Sequence, residues 1–345
     1  MAAVAFAGSL VAGPGLGGAE PAGASTTLPT TVEAWVYPGS AGEPTCKASQ
    51  ELAAMAGAPI SLIKPEYLTI GSRGRVLTET AAGLPCNGFS PANLALARAA
   101  AQRVYVTVSA GTSGVKGALS NPVRTATAEA AITSFVATNN LDGVDLDFEP
   151  NRWTASLWLR FVHMVSDLNG KLSSAGRGVE VDLEPFTSTP WDAERYGDIA
   201  NAGAHVVVMA YDHEFDIACA AITPYSWLTQ VVTYAQSQVA PSQLTIGLPA
   251  YGYHTANCSR VSHVVSNVAL VTMEGEPGFP STPAAVAGLR DPGSGEVRWS
   301  WGGTFYDYVD STSLDAKLQL VESMGVADVS VWSLGGEPWF SGYPG

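Results

Sequence analysis

Three acids recur at alternate positions in Leu141-Asp142-Gly143-Val144-Asp145-Leu146-Asp147-Phe148-Glu149-Pro150. In an extended strand successive side chains point to opposite faces, so Asp145, Asp147 and Glu149 share one face. Val144, Leu146 and Phe148 point the other way, toward whatever covers the sheet. Burying three carboxyls together costs free energy and raises at least one pKa. A proton shared between Asp145 and Asp147 would ease that cost. A carboxyl held protonated by its neighbours suits general acid chemistry, and Glu149, at the strand's end, is the candidate. Two other readings compete. A Ca²⁺ or Mg²⁺ site needs oxygens wrapped around one point, whereas strand spacing spreads these carboxyls up a wall. A solvated edge face conflicts with the wholly apolar residues between them. A second group, His213, Glu214 and Asp216, lacks H-E-x-x-H spacing and falls in a loop, so no metal is expected there.

The elements that must position this strand follow a repeated pattern of short apolar strand and helix. Strands are predicted at Thr31–Tyr37, Ile60–Ile63, Val104–Ser109, Gly143–Phe148, Val179–Leu183, His205–Tyr211, Leu244–Pro249 and Val329–Ser333. Thr154 is a plausible N-cap for a helix carrying Leu157, Trp158, Phe161, Val165 and Leu168 at helical spacing. A last helix is predicted at Leu314–Met324. Eight such units imply an α/β fold, a closed (β/α)8 TIM barrel with an insertion after the seventh strand. That insertion, from Tyr253 to Thr312, has Pro- and Gly-rich segments and a strand-like Val297–Tyr308. An open doubly wound sheet is the alternative, but Tyr37-Pro38-Gly39-Ser40 offers no G-x-G-x-x-G phosphate loop. Barrel active sites are built at the C-terminal ends of the strands, where Glu149 stands.

The bulk properties narrow the partners. The chain has 345 residues, 46% of them apolar and 14% charged, with a net charge of −14. Phosphate-rich nucleic acid and anionic membranes are disfavoured, whereas a neutral sugar is compatible. Nine Trp and twelve Tyr offer faces for sugar stacking, although core filling is the more usual role of such a residue. Residues 1–29 read as an apolar, Gly-rich leader with Ala22-Gly23-Ala24 as an A-x-A site, though without a basic start. Residues 30–345 read as the barrel, secreted or cell-wall associated and monomeric. No other stretch is long and apolar enough for a membrane span. Cys46, Cys86, Cys219 and Cys258 show no C-x-x-C spacing. Loops after adjacent barrel strands lie side by side, which predicts disulfides Cys46–Cys86 and Cys219–Cys258 at the barrel rim.

The acidic strand resembles the D-G-x-D-x-D-x-E signature of family 18 glycoside hydrolases, the chitinase family, with Asp142, Gly143, Asp145, Asp147 and Glu149 at its defined positions. Val208-Met209-Ala210-Tyr211-Asp212 resembles the family's M-x-Y-D strand, and Leu244–Gly252 its G-x-P-x-Y-G strand. Trp332 falls where the family has an eighth-strand Trp. Tyr306–Glu337, with Ser313, Lys317 and Trp332-Ser333-Leu334-Gly335, is most similar to the branch of spore-cortex and cell-wall glucosaminidases. The third strand departs from the pattern, with Ser109-Ala110-Gly111-Thr112 in place of S-x-G-G.

The resemblance implies a retaining hydrolase of β-1,4-linked N-acetylglucosamine polymers, chitin or its oligosaccharides, that needs no cofactor. It implies Glu149 as acid, with the substrate's acetamido carbonyl as nucleophile. Asp147 would balance the charge of the oxazolinium ion, and Asp145 would exchange a hydrogen bond with Asp147. Tyr211 would hold the acetamido oxygen. Asp212 would contact sugar or water, Trp332 would floor the ring, and Met209 would line the pocket. Trp35, Tyr37 and Tyr251 would extend the platform or else pack in the core. The alternatives are a peptidoglycan glucosaminidase and a non-catalytic sugar-binding lectin.

Overall fold

Strands of a closed parallel sheet are covered on both faces, which selects short, apolar, β-branched runs. The computed structural model describes residues 31–37, 60–80, 88–216, 219–256, 258, 265–268, 273–334 and 339–340. The chain enters through β1 (Thr31–Val36) and β2 (Ile60–Pro65), followed by the short β3 (Leu68–Ile70) and β4 (Val76–Thr78). Helix α1 (Pro91–Ala100) precedes β5 (Ala101–Gly111), and α2 (Thr112–Ala118) and α3 (Pro122–Thr138) lead to β6 (Gly143–Glu149). Then come α4 (Ala155–Ser173), β7 (Gly178–Leu183), α5 (Tyr196–Asn201), β8 (His205–Met209), α6 (His213–Asp216), α7 (Tyr225–Gln236) and β9 (Leu244–Pro249). Beyond β9 lie β10 (Gly252–Thr255), β11 (Val265–Val268), α8 (Pro283–Leu289), β12 (Val297–Trp301) and β13 (Thr304–Tyr308). Helix α9 (Ser311–Ser323) and β14 (Asp328–Trp332) end the described architecture.

Strands β1, β2, β5, β6, β7, β8, β9 and β14 pair in parallel in that order, and β14 returns to β1. This closed eight-strand ring is the predicted (β/α)8 barrel, and all eight predicted strands lie in it. Closure rules out the open sheet. The predicted N-cap is also present: Thr154 accepts a hydrogen bond from the Leu157 amide and starts α4, whose Trp158, Phe161, Val165 and Leu168 are buried. The leader 1–29 and the predicted pair Cys46–Cys86 lie outside the described residues.

The insertion forms a separate antiparallel sheet in the order β11-β10-β13-β12. Its core holds Met273, Val297, Trp299, Tyr306 and Tyr308, with Trp299 stacked on Tyr306 at 4.7 Å. Buried charges fasten it to the barrel. Glu296 accepts the Ile222 and Thr223 amides, each at 2.8 Å, and pairs with Lys317 of α9 at 3.0 Å. Arg298, paired with Asp307 inside the insertion at 2.8 Å, donates to the Cys219 carbonyl in the loop after β8. The disulfide Cys219–Cys258, with Cα atoms 5.3 Å apart, ties the loop after β8 to the insertion as predicted.

Glu214 of α6 sits in this junction, fully buried, with neither carboxylate oxygen accepting a hydrogen bond. Burial, then the charges of Asp212 and Glu296, push its pKa from 4.5 up to about 9. A carboxyl with a raised folded-state pKa brings stability that is complete below the unfolded pKa and is lost as pH rises through the folded one. Glu214→Gln has no such proton to lose. Its stability relative to wild type should therefore rise by a few kcal/mol, roughly, between pH 5 and pH 9, as measured by urea unfolding midpoints. A difference that stays flat with pH would mean that Glu214 is ionised in the folded chain.

Candidate active site

Inward-facing side chains of a TIM barrel are usually Val, Ile and Leu in layers. Here much of the interior is polar. Strand register sets Thr107 and Glu180 beside Asp145, Ser109 and Asp182 beside Asp147, and Lys64 beside Trp35. The ammonium of Lys64 lies 3.3 Å from Glu180, 3.5 Å from Glu33 and 3.8 Å from Asp145, and 4.0 Å from the centre of the Trp35 ring. Burial alone would lower the Lys64 pKa, but the carboxylates of Asp145, Glu180, Asp182 and Glu33 outweigh it and raise the pKa instead.

Above this layer the acids climb toward the open end. Asp145 is fully buried and accepts from the Thr107 hydroxyl at 2.8 Å and the Trp35 indole at 3.1 Å. The same indole N–H reaches Asp182 at 3.1 Å. Burial, and then Asp145, raise the pKa of Asp182 well above the usual range. Trp35 brings the two carboxyls together because its N–H lies between them.

Asp147 is half-buried. Its Oδ1 is shielded from water and accepts no hydrogen bond. Burial, then Glu149, Glu66 and Asp145, hold its pKa well above the usual range. Glu149 closes the strand and is exposed at its open end. The surrounding protein, and then Asp212, raise its carboxyl pKa as well. Two neighbouring carboxyls of this kind resist ionising together.

Tyr211 is buried beside them, edge-on to Trp35 at 6.4 Å and to Tyr251 at 6.3 Å. Asp212 follows with a left-handed backbone, φ 63°, and accepts the Tyr251 hydroxyl. Gly247 shows why its position is a glycine: a Cβ there would lie 3.1 Å from the Tyr211 ring and 3.2 Å from the Met209 backbone. Met209 and Trp332 are half-buried. Trp332 contacts Trp35 at 5.8 Å and Tyr37 at 5.9 Å.

Of the three outer aromatics expected as platform or core, only Tyr37 is open, at 40% exposure. Trp35 and Tyr251 are buried and committed to Asp145, Asp182 and Asp212. A platform role for those two is corrected to one of holding the acids. Asp142 and Gly143 lie at the opposite end of the strand. Asp142 accepts the Val104 amide at 2.8 Å. A Cβ on Gly143 would meet the Gly178 carbonyl at 2.5 Å and the Tyr105 ring at 2.6 Å. Among the described residues no cluster suited to a metal ion is found.

Sequence reasoning missed Lys64, Glu33, Glu180, Asp182 and Glu66. Glu66, just after β2, is buried with Oε1 accepting no hydrogen bond. Its pKa is pushed up to about 8 by burial and by the charges of Asp145 and Glu149. The alternation Val179-Glu180-Val181-Asp182-Leu183 carried the same signal as the fourth strand.

A barrel of this topology, with a ladder of acids rising to an open glutamate, is the architecture of a glycoside hydrolase. The chain belongs to the glycosyl hydrolases family 18, whose family model matches residues 77–337. A curated relative, "Probable di-N-acetylchitobiase 2" of Dictyostelium discoideum, is 21% identical over 231 residues, covering 56% of this chain and 60% of that protein. The match thus spans less than two thirds of that relative's length. The spore cortex-lytic enzyme SleL of Bacillus megaterium QM B1551 is similar in structure, with a TM-score of 0.70 and 17% identity over 89% of this chain and 71% of its own. A chitinase from Chromobacterium violaceum ATCC 12472 has a TM-score of 0.69 and 16% identity over 90% of this chain and 95% of its own.

Removing Lys64 tests the arrangement beneath the site. Lys64→Met leaves Glu33, Asp145 and Glu180 without their buried cation, and breaking such a group costs about 3–5 kcal/mol. Without Lys64 the folded-state pKa values of Glu33 and Glu180 rise further, because Lys64 lowers both. The deficit should therefore grow from pH 5 to pH 8 in denaturant titrations. An unchanged midpoint at both pH values would show that these acids do not depend on the lysine.

Proposed function

We propose that the protein is a retaining glycosidase that cleaves β-1,4-linked N-acetylglucosamine polymers, with Glu149 as acid and base and the substrate's acetamido group as nucleophile. The observation that carries this reading is the Asp147–Glu149 pair: two carboxyls with raised pKa values, one open to the cleft, the other with a shielded oxygen that lacks a donor. Glu149 gives its proton to the glycosidic oxygen as the bond to C1 breaks. The acetamido carbonyl oxygen bonds to C1 and forms an oxazolinium ion. Asp147 accepts the acetamido N–H and balances the positive charge. Tyr211 donates to the acetamido oxygen. Glu149, now ionised, takes a proton from water as that water opens the ring, so the product keeps its anomeric configuration. Trp332 and Tyr37 face the sugar. The disulfide Cys219–Cys258 supports an exported protein, since such bonds persist in oxidising compartments.

Chitin oligosaccharides are the first substrates to test. Glu149→Gln should lose about 10²–10⁴-fold in kcat on chitotetraose while still binding it. Retention of more than a tenth of the wild-type rate would assign the acid elsewhere. The nucleophile is tested separately. An aryl N-acetylglucosaminide oligomer should give the β-anomer first, and its glucoside counterpart, which has no acetamido carbonyl, should be inert. A thiazoline mimic of the oxazolinium ion should inhibit strongly. Equal rates on the acetamido and hydroxyl substrates would eliminate this mechanism and the role of Asp147 with it.

A further inference from the structure

Three residues past Glu149, the loop after β6 meets the loop after β7. The Trp153 amide donates to Asp192 at 3.0 Å, and the Ala193 amide donates to the Trp153 carbonyl at 3.1 Å. Trp153 itself is buried against Trp158 and Phe161. These bonds fix the two flanking residues side by side: the guanidinium of Arg152 lies over the ring of Trp191 at 5.2 Å. The pair stands at the open end of the barrel. Arg152 lies within about 10 Å of Glu149 along the chain.

Both members are free to meet a ligand. Trp191 is 71% exposed, and Arg152 is exposed as well. Among the described residues Arg152 makes no hydrogen bond or ion pair, whereas Arg160, Arg177 and Arg195 each spend their guanidinium on backbone carbonyls. Asp192, the nearest acid in sequence to Trp191, already accepts two backbone amides, those of Trp153 and Glu194.

We propose that Arg152 and Trp191 form a subsite for a saccharide unit that carries a carboxylate, as the lactyl ether of N-acetylmuramic acid does, next to the N-acetylglucosaminyl bond cleaved at Glu149. The inference rests on the function proposed above and narrows its substrate class. An indole face receives the apolar face of a pyranose. A guanidinium stacked on that indole has its N–H edge fixed, and the planar fork of donors fits a carboxylate at two points. A neutral chitin unit uses the ring alone. The net charge of −14 repels anions at long range, but at physiological salt that repulsion is screened beyond about 8 Å, so the local cation decides at contact.

The test compares the N-acetylglucosamine–N-acetylmuramic acid tetrasaccharide with its carboxyl-reduced derivative. Dissociation constants are measured by calorimetry on Glu149→Gln, and kcat/KM on the active protein. The acidic sugar is expected to bind about tenfold more tightly than the reduced one, the scale of one charged hydrogen-bond pair. Arg152→Gln should bring that ratio close to one, and Arg152→Lys should leave an intermediate ratio. Trp191→Ala should weaken both sugars. A wild-type ratio near one, or a ratio that Arg152→Gln does not move, overturns the subsite. Turnover of both sugars without preference likewise overturns it and leaves the catalytic reading standing. A binding preference without turnover by the wild-type protein sinks the catalytic reading and leaves the subsite standing. Failure to bind either sugar sinks both.

Discussion

Lys64 places one ammonium among the acids that line the barrel interior, and the geometry above it depends on that charge. It lies within 4 Å of Glu33, Asp145 and Glu180. Each of these carboxyls is shut off from water, where an isolated charge is costly. One cation cannot neutralise all of them together with Asp182. Some of the acids must therefore hold protons, and the raised pKa values of Glu33 and Asp182 fit that requirement. Asp145 and Asp182 meet at the Trp35 indole N–H, 3.1 Å from an oxygen of each. The interior is thus held by one ion cluster around Lys64 and by the indole N–H of Trp35.

This floor governs the upper acids through Trp35. Its ring rests on the Lys64 ammonium, its indole N–H bridges Asp145 and Asp182, and its edge meets Tyr211 and Trp332. A single side chain therefore connects the buried cation to the residues around the cleft. The acids also change character along β6. Asp145 takes the Thr107 hydroxyl and the Trp35 indole on one oxygen, Asp147 has a shielded oxygen that accepts no hydrogen bond, and Glu149 opens to solvent. The unsatisfied acceptor stands between a fixed carboxyl below and an accessible one above. A ligand N–H would relieve its desolvation, and Asp147 stands one step nearer the open end than Asp145, whose Oδ1 also lacks a donor.

The sequence made the barrel and the three acids of β6 legible because both are periodic. Alternation at Asp145, Asp147 and Glu149 fixes their common face whatever surrounds them, and eight apolar runs define eight strands. The polar lining from other strands was harder to see. Glu33 and Lys64 stand singly among apolar residues, and their meaning appears only when β1 and β2 lie across the barrel from β7. Glu180 and Asp182 did alternate, and Glu184 continues the pattern, but Val179, Val181 and Leu183 between them made the run read as an ordinary apolar strand. Trp35 shows the limit most sharply, because an aromatic residue at a strand end reads equally as platform or packing, and only the two carboxyls at its N–H decide.

Arg152 and Trp191 stand 39 positions apart, and their contact depends on the hydrogen bonds that join Trp153 to Asp192 and Ala193. No local pattern encodes such a pairing. The buried Trp153 is what converts it into a rigid feature. Packed on Phe161 of α4, it anchors the loop after β6 to the barrel's helical layer. Its backbone then carries the loop after β7. Catalytic chemistry in this fold is set by strand register, which is regular and readable. The shape of the rim is set by which loop residue is buried and which neighbours it leaves exposed. The same strand end thus supplies a fixed reactive centre in Glu149 and, three residues later, a surface that can vary without disturbing it.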